Sequence, residues 1–136
     1  MAFRARLPIR FGDVDSAGVV FFPQYFVYFH EVFERFFEEG GLPYARYVVE
    51  RRLGFPRVRV ESDHAQPVRY GDVLDVALSV AHLGEHSVRL KYVGHRESDG
   101  ARAVTAEITA VCIDVDAFRA TVIPGDVRSL FERFRE

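Results

Sequence analysis

An α+β domain, with one long helix held on one face of a largely antiparallel sheet, is expected for this chain on three observations. Aromatic residues (13 Phe and 6 Tyr) are concentrated between Phe21 and Tyr47, where apolar positions recur at helical spacing. Four later stretches alternate or run β-branched, and the last two breaks between them are of hairpin length. The 136 residues suit a single domain with a proper core, and 49% apolar against 28% charged residues is ordinary for a globular chain.

The elements follow in order. Residues 3–11, Phe-Arg-Ala-Arg-Leu-Pro-Ile-Arg-Phe, alternate apolar and basic, as a half-buried strand does. Pro8 lacks a ladder donor and places that strand at a sheet edge. Gly12 to Gly18 reads as a loop of small and acidic residues. From Pro23 the period changes. At about 100° per residue, Tyr25, Phe26, Tyr28, Phe29, Val32, Phe33, Phe36 and Phe37 fill one half of a helical wheel. His30, Glu31, Glu34, Glu38 and Glu39 fall on the other half, and only Val27 is out of place. Pro23 suits the first helical position and Gly40-Gly41 the stop. Pro43 to Arg52 reads as a second, short helix ended by Gly54 and Pro56.

Strands are then predicted over 57–66, 73–83, 86–95 and 101–114, with breaks at Pro67, Gly71-Asp72, Leu83-Gly84-Glu85 and Ser98-Asp99-Gly100. A short strand near 121–123 and a charged helix over 126–135 finish the chain. The total is five or six strands, largely antiparallel.

Composition excludes several classes. A net charge of −2 gives no electrostatic case for nucleic acid. The single Cys112 can form neither an internal disulfide nor a cysteine zinc site, and it sits among apolar residues as core; this suits a reducing, cytoplasmic setting. No apolar stretch approaches the ~20 residues of a membrane span, and Arg4, Arg6 and Arg10 interrupt any signal-like run.

Chemistry is concentrated in Arg10-Phe11-Gly12-Asp13-Val14-Asp15-Ser16-Ala17-Gly18-Val19-Val20-Phe21-Phe22-Pro23-Gln24-Tyr25. Two carboxylates lie between a strand and a strongly apolar helix. No Ser, Thr, Asp or Asn precedes Pro23 as an N-cap, so the first-turn N–H groups are expected to lack a side-chain acceptor. Such a helix start can hold an anion or a polarised carbonyl oxygen, and a carboxylate beside it would complete half of an acyl-transfer site. The plain alternative is that Asp13 and Asp15 only form loop turns.

The run from Phe11 to Val20, with Pro23-Gln24-Tyr25, closely resembles the signature of the 4-hydroxybenzoyl-CoA thioesterase family of hotdog-fold proteins. Pro67-Val68-Arg69-Tyr70-Gly71-Asp72-Val73-Leu74 resembles that family's second recurrent stretch. The resemblance implies a central helix wrapped by an antiparallel sheet and dimerisation through that sheet; the open edge and outer face of the sheet separately invite pairing, as a homodimer or a further-paired tetramer. The resemblance also implies acyl-CoA thioester hydrolysis at the dimer interface with no metal or other cofactor, coenzyme A being part of the substrate. Asp15 would be the catalytic carboxylate, and a backbone N–H near Phe22 would polarise the thioester carbonyl. Many relatives carry His where this chain has Phe22, which argues against a histidine-assisted variant and for the aromatic-acyl branch.

Gly18 is the position expected to need a positive φ or close substrate approach, and Phe22 and Tyr25 stand at the helix start. Arg89 and Lys91 share one strand face and could meet coenzyme A phosphates, or they could form a solvated sheet surface. Asp13-x-Asp15-x-x-Gly18 is no calcium loop, because Ala17 and Gln24 stand where ligands are needed. His82 and His86 flank a hairpin and do not read as a zinc pair; His30 and Glu31 read as solvated or interfacial. An acyl-CoA thioesterase acting on a short-chain or aromatic acyl group is the leading expectation. Its rivals are a hotdog module that binds an acyl thioester without turnover, and a hotdog hydratase, for which a histidine is missing from the loop.

Overall fold

The computed structural model describes residues 1–136. In chain order the elements are β1 (Phe3–Pro8), α1 (Gln24–Glu39), α2 (Tyr44–Glu50), β2 (Leu53–Gly54), β3 (Arg57–His64) and β4 (Val73–Leu83). They are followed by β5 (Ser87–Arg96), β6 (Arg102–Val111), β7 (Ile113–Asp114), β8 (Arg119–Ala120) and α3 (Gly125–Arg133). Five strands form one antiparallel sheet in the order β1-β4-β5-β6-β3, and β2, β7 and β8 form a small second sheet.

Alternation sets the layers. Leu74, Val76, Leu78 and Val80 on β4, Val88, Leu90 and Tyr92 on β5, and Val104, Ala106 and Ile108 on β6 all point to one face and are buried. Against them α1 lays its aromatic half, with Tyr25, Tyr28, Phe29, Val32, Phe33, Phe36 and Phe37 buried. Val27, the one apolar residue out of phase, is 56% exposed. Each fully buried Phe contributes about 1.5–3 kcal/mol by removal from water, so this face is a major source of stability. Gly94 sits in the core layer because a Cβ there would come within 2.8 Å of Val104 Cγ1 and 3.0 Å of Leu74 Cδ1. From the far end, α3 closes the core with Phe131 parallel to Phe36 at 6.0 Å between ring centroids.

The two sheet edges differ. On one side lies β1, with Pro8 as expected, and residues 134–136 continue its line through Val80 N–H to Phe134 O and Glu136 N–H to Val80 O. On the other side β3 pairs only with β6, so its outer backbone groups are unpaired within the chain.

Local reading failed at three places. The N-terminal strand stops at Pro8, and Phe11–Asp13 turns as a 3₁₀ segment held by Arg10 N–H on the Asp13 carboxylate at 3.2 Å. The strand predicted over 101–114 divides at Cys112, where two successive buried residues, Cys112 and Ile113, break the alternation and hand the chain to the small sheet. The strand expected near 121–123 instead occupies Arg119–Ala120. There the Asp114 carboxylate accepts the Asp116 and Ala117 N–H groups and fixes a tighter turn.

Candidate active site

The loop between β1 and α1 is a miniature hairpin. Val14 and Val20 bridge its legs, Val19 bridges to Arg69, and Val20 N–H donates to Val68 O at 2.8 Å. At its tip the Asp15 carboxylate accepts the Ala17 N–H at 2.9 Å through one oxygen, while the Asp15 carbonyl accepts Gly18 N–H and its own N–H reaches Val19 O. This turn requires Gly18 at φ +79, the positive angle expected, with open space where a Cβ would stand. Asp15 is exposed.

Asp13 has a different task. Its carboxylate accepts the Tyr28 hydroxyl at 2.8 Å and its carbonyl accepts Phe21 N–H at 2.9 Å, tying the loop to the second turn of α1. Burial and that bond both hold Tyr28 in its protonated form.

The helix start departs from the expectation in one respect. No side chain caps it, but the Gln24, Tyr25 and Phe26 N–H groups fold onto the Phe21, Phe22 and Pro23 carbonyls. The 3₁₀-type first turn satisfies these donors locally. Between Phe21 and Phe26 the only N–H without an acceptor belongs to Phe22.

Phe22, Tyr25, Val19, Val20, His64 and Val68 line a cavity of about 360 Å³ beside this donor. Tyr25, one of the lining residues, is 5% exposed, and its hydroxyl finds no partner in the chain and is not sealed away. Burial pushes that phenol's pKa up and keeps it a donor.

The His64 ring lies edge-on to Phe22 and Tyr25, at 5.3 Å and 5.0 Å between centroids, with Nε2 3.1 Å from Ser62 Oγ. Sequence reasoning did not single it out. The strand predicted over 57–66 runs beyond it, so nothing local in the sequence marked His64, which the structure makes the last residue of β3.

Gly18, Phe22 and Tyr25 are therefore gathered with Asp15 around one loop and helix start. Arg89 and Lys91 are not. They alternate with the buried Leu90 and Tyr92, lie on the sheet face away from α1, and Lys91 Nζ is 3.7 Å from Glu136. No three His, Cys, Asp or Glu side chains converge as a metal site would require, and no helix is long and apolar enough to cross a membrane.

A family model described as the thioesterase-like superfamily matches residues 9–131. A 1,4-dihydroxy-2-naphthoyl-CoA hydrolase of Synechococcus elongatus is 30% identical over 118 residues, 85% of each chain. A 1,4-dihydroxy-2-naphthoyl-CoA thioesterase from Synechocystis superposes with a TM-score of 0.89 over 96% of each chain at 22% identity. A gentisyl-coenzyme A thioesterase does so at 0.82 and 26% identity, over 96% of this chain and 99% of its own. The family match takes in the Asp13–Gly18 loop, α1 and every strand of the main sheet except β1, and the chain belongs to the thioesterase-like superfamily of hotdog-fold proteins.

Proposed function

We propose that this protein hydrolyses the thioester of an aromatic acyl-CoA. The observation that carries this reading is the pairing of a carboxylate turn with a free backbone donor. Asp15 begins the turn of the loop hairpin, and the unpaired Phe22 N–H follows its second leg beside an apolar cavity whose rings are Phe22, Tyr25 and His64. A thioester carbonyl set on the Phe22 N–H would gain a donor where negative charge develops, reinforced by the positive end of α1. Asp15 would then attack the carbonyl carbon or take a proton from the attacking water. In either route the tetrahedral species expels the coenzyme A thiolate, and a proton from the water goes to that thiolate. Attack by Asp15 leaves a mixed anhydride that water then cleaves to restore the carboxylate, whereas direct attack by water gives the acid at once.

The Asp15 carboxylate is solvent-exposed and β3 offers an unpaired edge with Val58 and Val60 exposed. Both features support a homodimer, alone or paired again as a tetramer, in which a second copy closes the site. The buried Cys112, without a disulfide partner, suits the cytoplasm.

A binding module without turnover is the second reading, favoured by the turn bond that already occupies one Asp15 oxygen. Thiol release from acetyl-, palmitoyl- and benzoyl-CoA, beside a binding assay and sedimentation at micromolar concentration, decides between them. Preferential release from benzoyl-CoA by a dimer or tetramer is expected. Binding without release would establish the module, and a monomer would remove the interface site.

Gly18 gives a sharper check. Gly18→Val meets open space but must adopt a left-handed backbone, a strain of roughly 1–3 kcal/mol. The variant is expected to keep the native mass, to lose at most about 10 °C in Tm and to lose at least about tenfold in hydrolysis through displacement of Asp15. Full activity in a folded variant would show that the turn does not meet the substrate.

A further inference from the structure

The free N–H of Phe22 can stabilise charge only if its direction is fixed. Phe21 and Phe22 are each 56% exposed, so hydrogen bonds, more than packing, hold the peptide between them. That peptide is trans and planar, and the Phe22 N–H therefore points opposite to the Phe21 carbonyl. Gln24 N–H donates to this carbonyl at 2.8 Å, and Phe21 N–H donates to Asp13 O at 2.9 Å. The first bond ties the peptide to the helix and the second ties it to the loop. The direction of the free donor thus depends on where Asp13 stands.

Asp13 is placed in turn from α1. Its N–H donates to Arg10 O at 3.0 Å, and one carboxylate oxygen accepts Arg10 N–H at 3.2 Å and the Tyr28 hydroxyl at 2.8 Å. The Arg10 bonds stay within the loop, so only the Tyr28 bond leads from the Asp13 side chain to the core. It lies beside Leu7 and Pro8 of β1, at the opposite edge of the sheet from β3. Tyr28 is 4% exposed, with its ring edge-on to Tyr25 at 6.2 Å. Packing does not require its hydroxyl, since Phe29, Phe33, Phe36 and Phe37 fill the same buried half of α1 without one. A buried hydroxyl is costly unless paired, and the one partner of this one is the carboxylate of the site loop. The bonds close a circuit, from the second turn of α1 through Asp13 and Phe21 and back to α1 at Gln24.

We propose that Tyr28 is a positioning residue for the reaction: its hydroxyl, acting through Asp13, aims the Phe22 N–H at the thioester oxygen. The inference rests on the thioesterase reading, since that reading gives the N–H an oxyanion to stabilise. A donor contributes most when its direction is set before charge develops, because nothing then has to reorganise in the transition state. Tyr28 does not line the cavity beside Phe22, so losing its hydroxyl should leave substrate binding nearly as it was and slow the chemical step. That split separates positioning from support of the fold, which would show as a lower Tm with kcat unchanged.

Tyr28→Phe keeps the ring and removes only the hydroxyl. With benzoyl-CoA it is expected to lower kcat about tenfold or more, with KM within about twofold. Asp13→Ala should reproduce that loss, and it carries the comparison if Tyr28→Phe does not fold. Asp13→Asn, whose carbonyl can still accept, should lose much less. Tyr28→Phe combined with Asp13→Ala should cost no more than either alone, because both break one circuit. The direct readout is ¹⁵N relaxation of the Phe22 amide in the intact protein. Its order parameter should fall from the rigid value of about 0.85 in Tyr28→Phe, while those along α1 stay unchanged. Unchanged kcat, additive losses, or a fall in kcat with the Phe22 amide unaltered would overturn the proposal and leave the thioesterase reading intact. If the unmodified protein releases no thiol from benzoyl-CoA, the thioesterase reading fails and the amide decides alone. A lower order parameter in Tyr28→Phe then supports the positioning role, and an unchanged one overturns it.

Discussion

Asp15→Asn is expected to lower the turnover of acyl-CoA hydrolysis by at least about a hundredfold, the low end for removal of a general base. The substitution keeps the size of the side chain and the carbonyl oxygen that can accept the Ala17 N–H, so the turn and the melting temperature should survive. KM should move much less than kcat, because the lost interaction develops in the transition state. Asp13→Asn provides the internal comparison. Asp13 accepts the Tyr28 hydroxyl and the Arg10 N–H through one oxygen, which an Asn carbonyl can replace, so Asp13→Asn is expected to lower turnover much less than Asp15→Asn and to leave the fold in place. Steady-state kinetics and melting on the same preparations separate the two. Small, equal kinetic effects at both positions would return Asp15 to a turn-forming role. A transient acyl adduct on Asp15 in rapid-quench mass spectrometry would mark attack by the carboxylate itself.

The largest expected loss of stability follows Phe37→Ala. Phe37 is fully buried and lies within 6.0 Å, between ring centroids, of Phe33, Phe36, Tyr44, Tyr47, Phe55 and Phe131. It joins α1 to α2, to the segment entering β3 and to α3 at one point. Aromatic rings on all sides limit how far the site can collapse, so truncation should cost about 3–5 kcal/mol. For a chain of this size that corresponds to a fall in Tm on the order of 10–20 °C, measured by calorimetry or circular dichroism. A fall of only a few degrees would show that these elements are not held together through this ring.

Much of this molecule was legible in the order of its residues, for one reason: the signals were local and periodic. The aromatic half-wheel bounded α1 and singled out Val27 as exposed. Alternation delimited β4 at Val73 and Leu83, its observed ends. Pro8 marked the edge strand, and Gly18 was recognised as the residue needing a positive φ. The loop carrying Asp15 and the helix start at Phe22 are neighbours in the chain, so their proximity also required no knowledge of packing.

Whatever depended on elements distant in sequence was decided by the tertiary structure. The β2, β7 and β8 strands are two residues each, too short for a period, and exist only because packing brings them side by side. The free donor at the helix start is Phe22 N–H because the following three close on local carbonyls, a choice of backbone angles that composition does not record. His64 reaches Phe22 and Tyr25 because β3 lays one face of the sheet against α1. Arg89 and Lys91 fall on the opposite face by the same alternation that buries Leu90 and Tyr92. Periodicity says which residues share a face of their own element; only the packing of sheet on helix decides what that face meets.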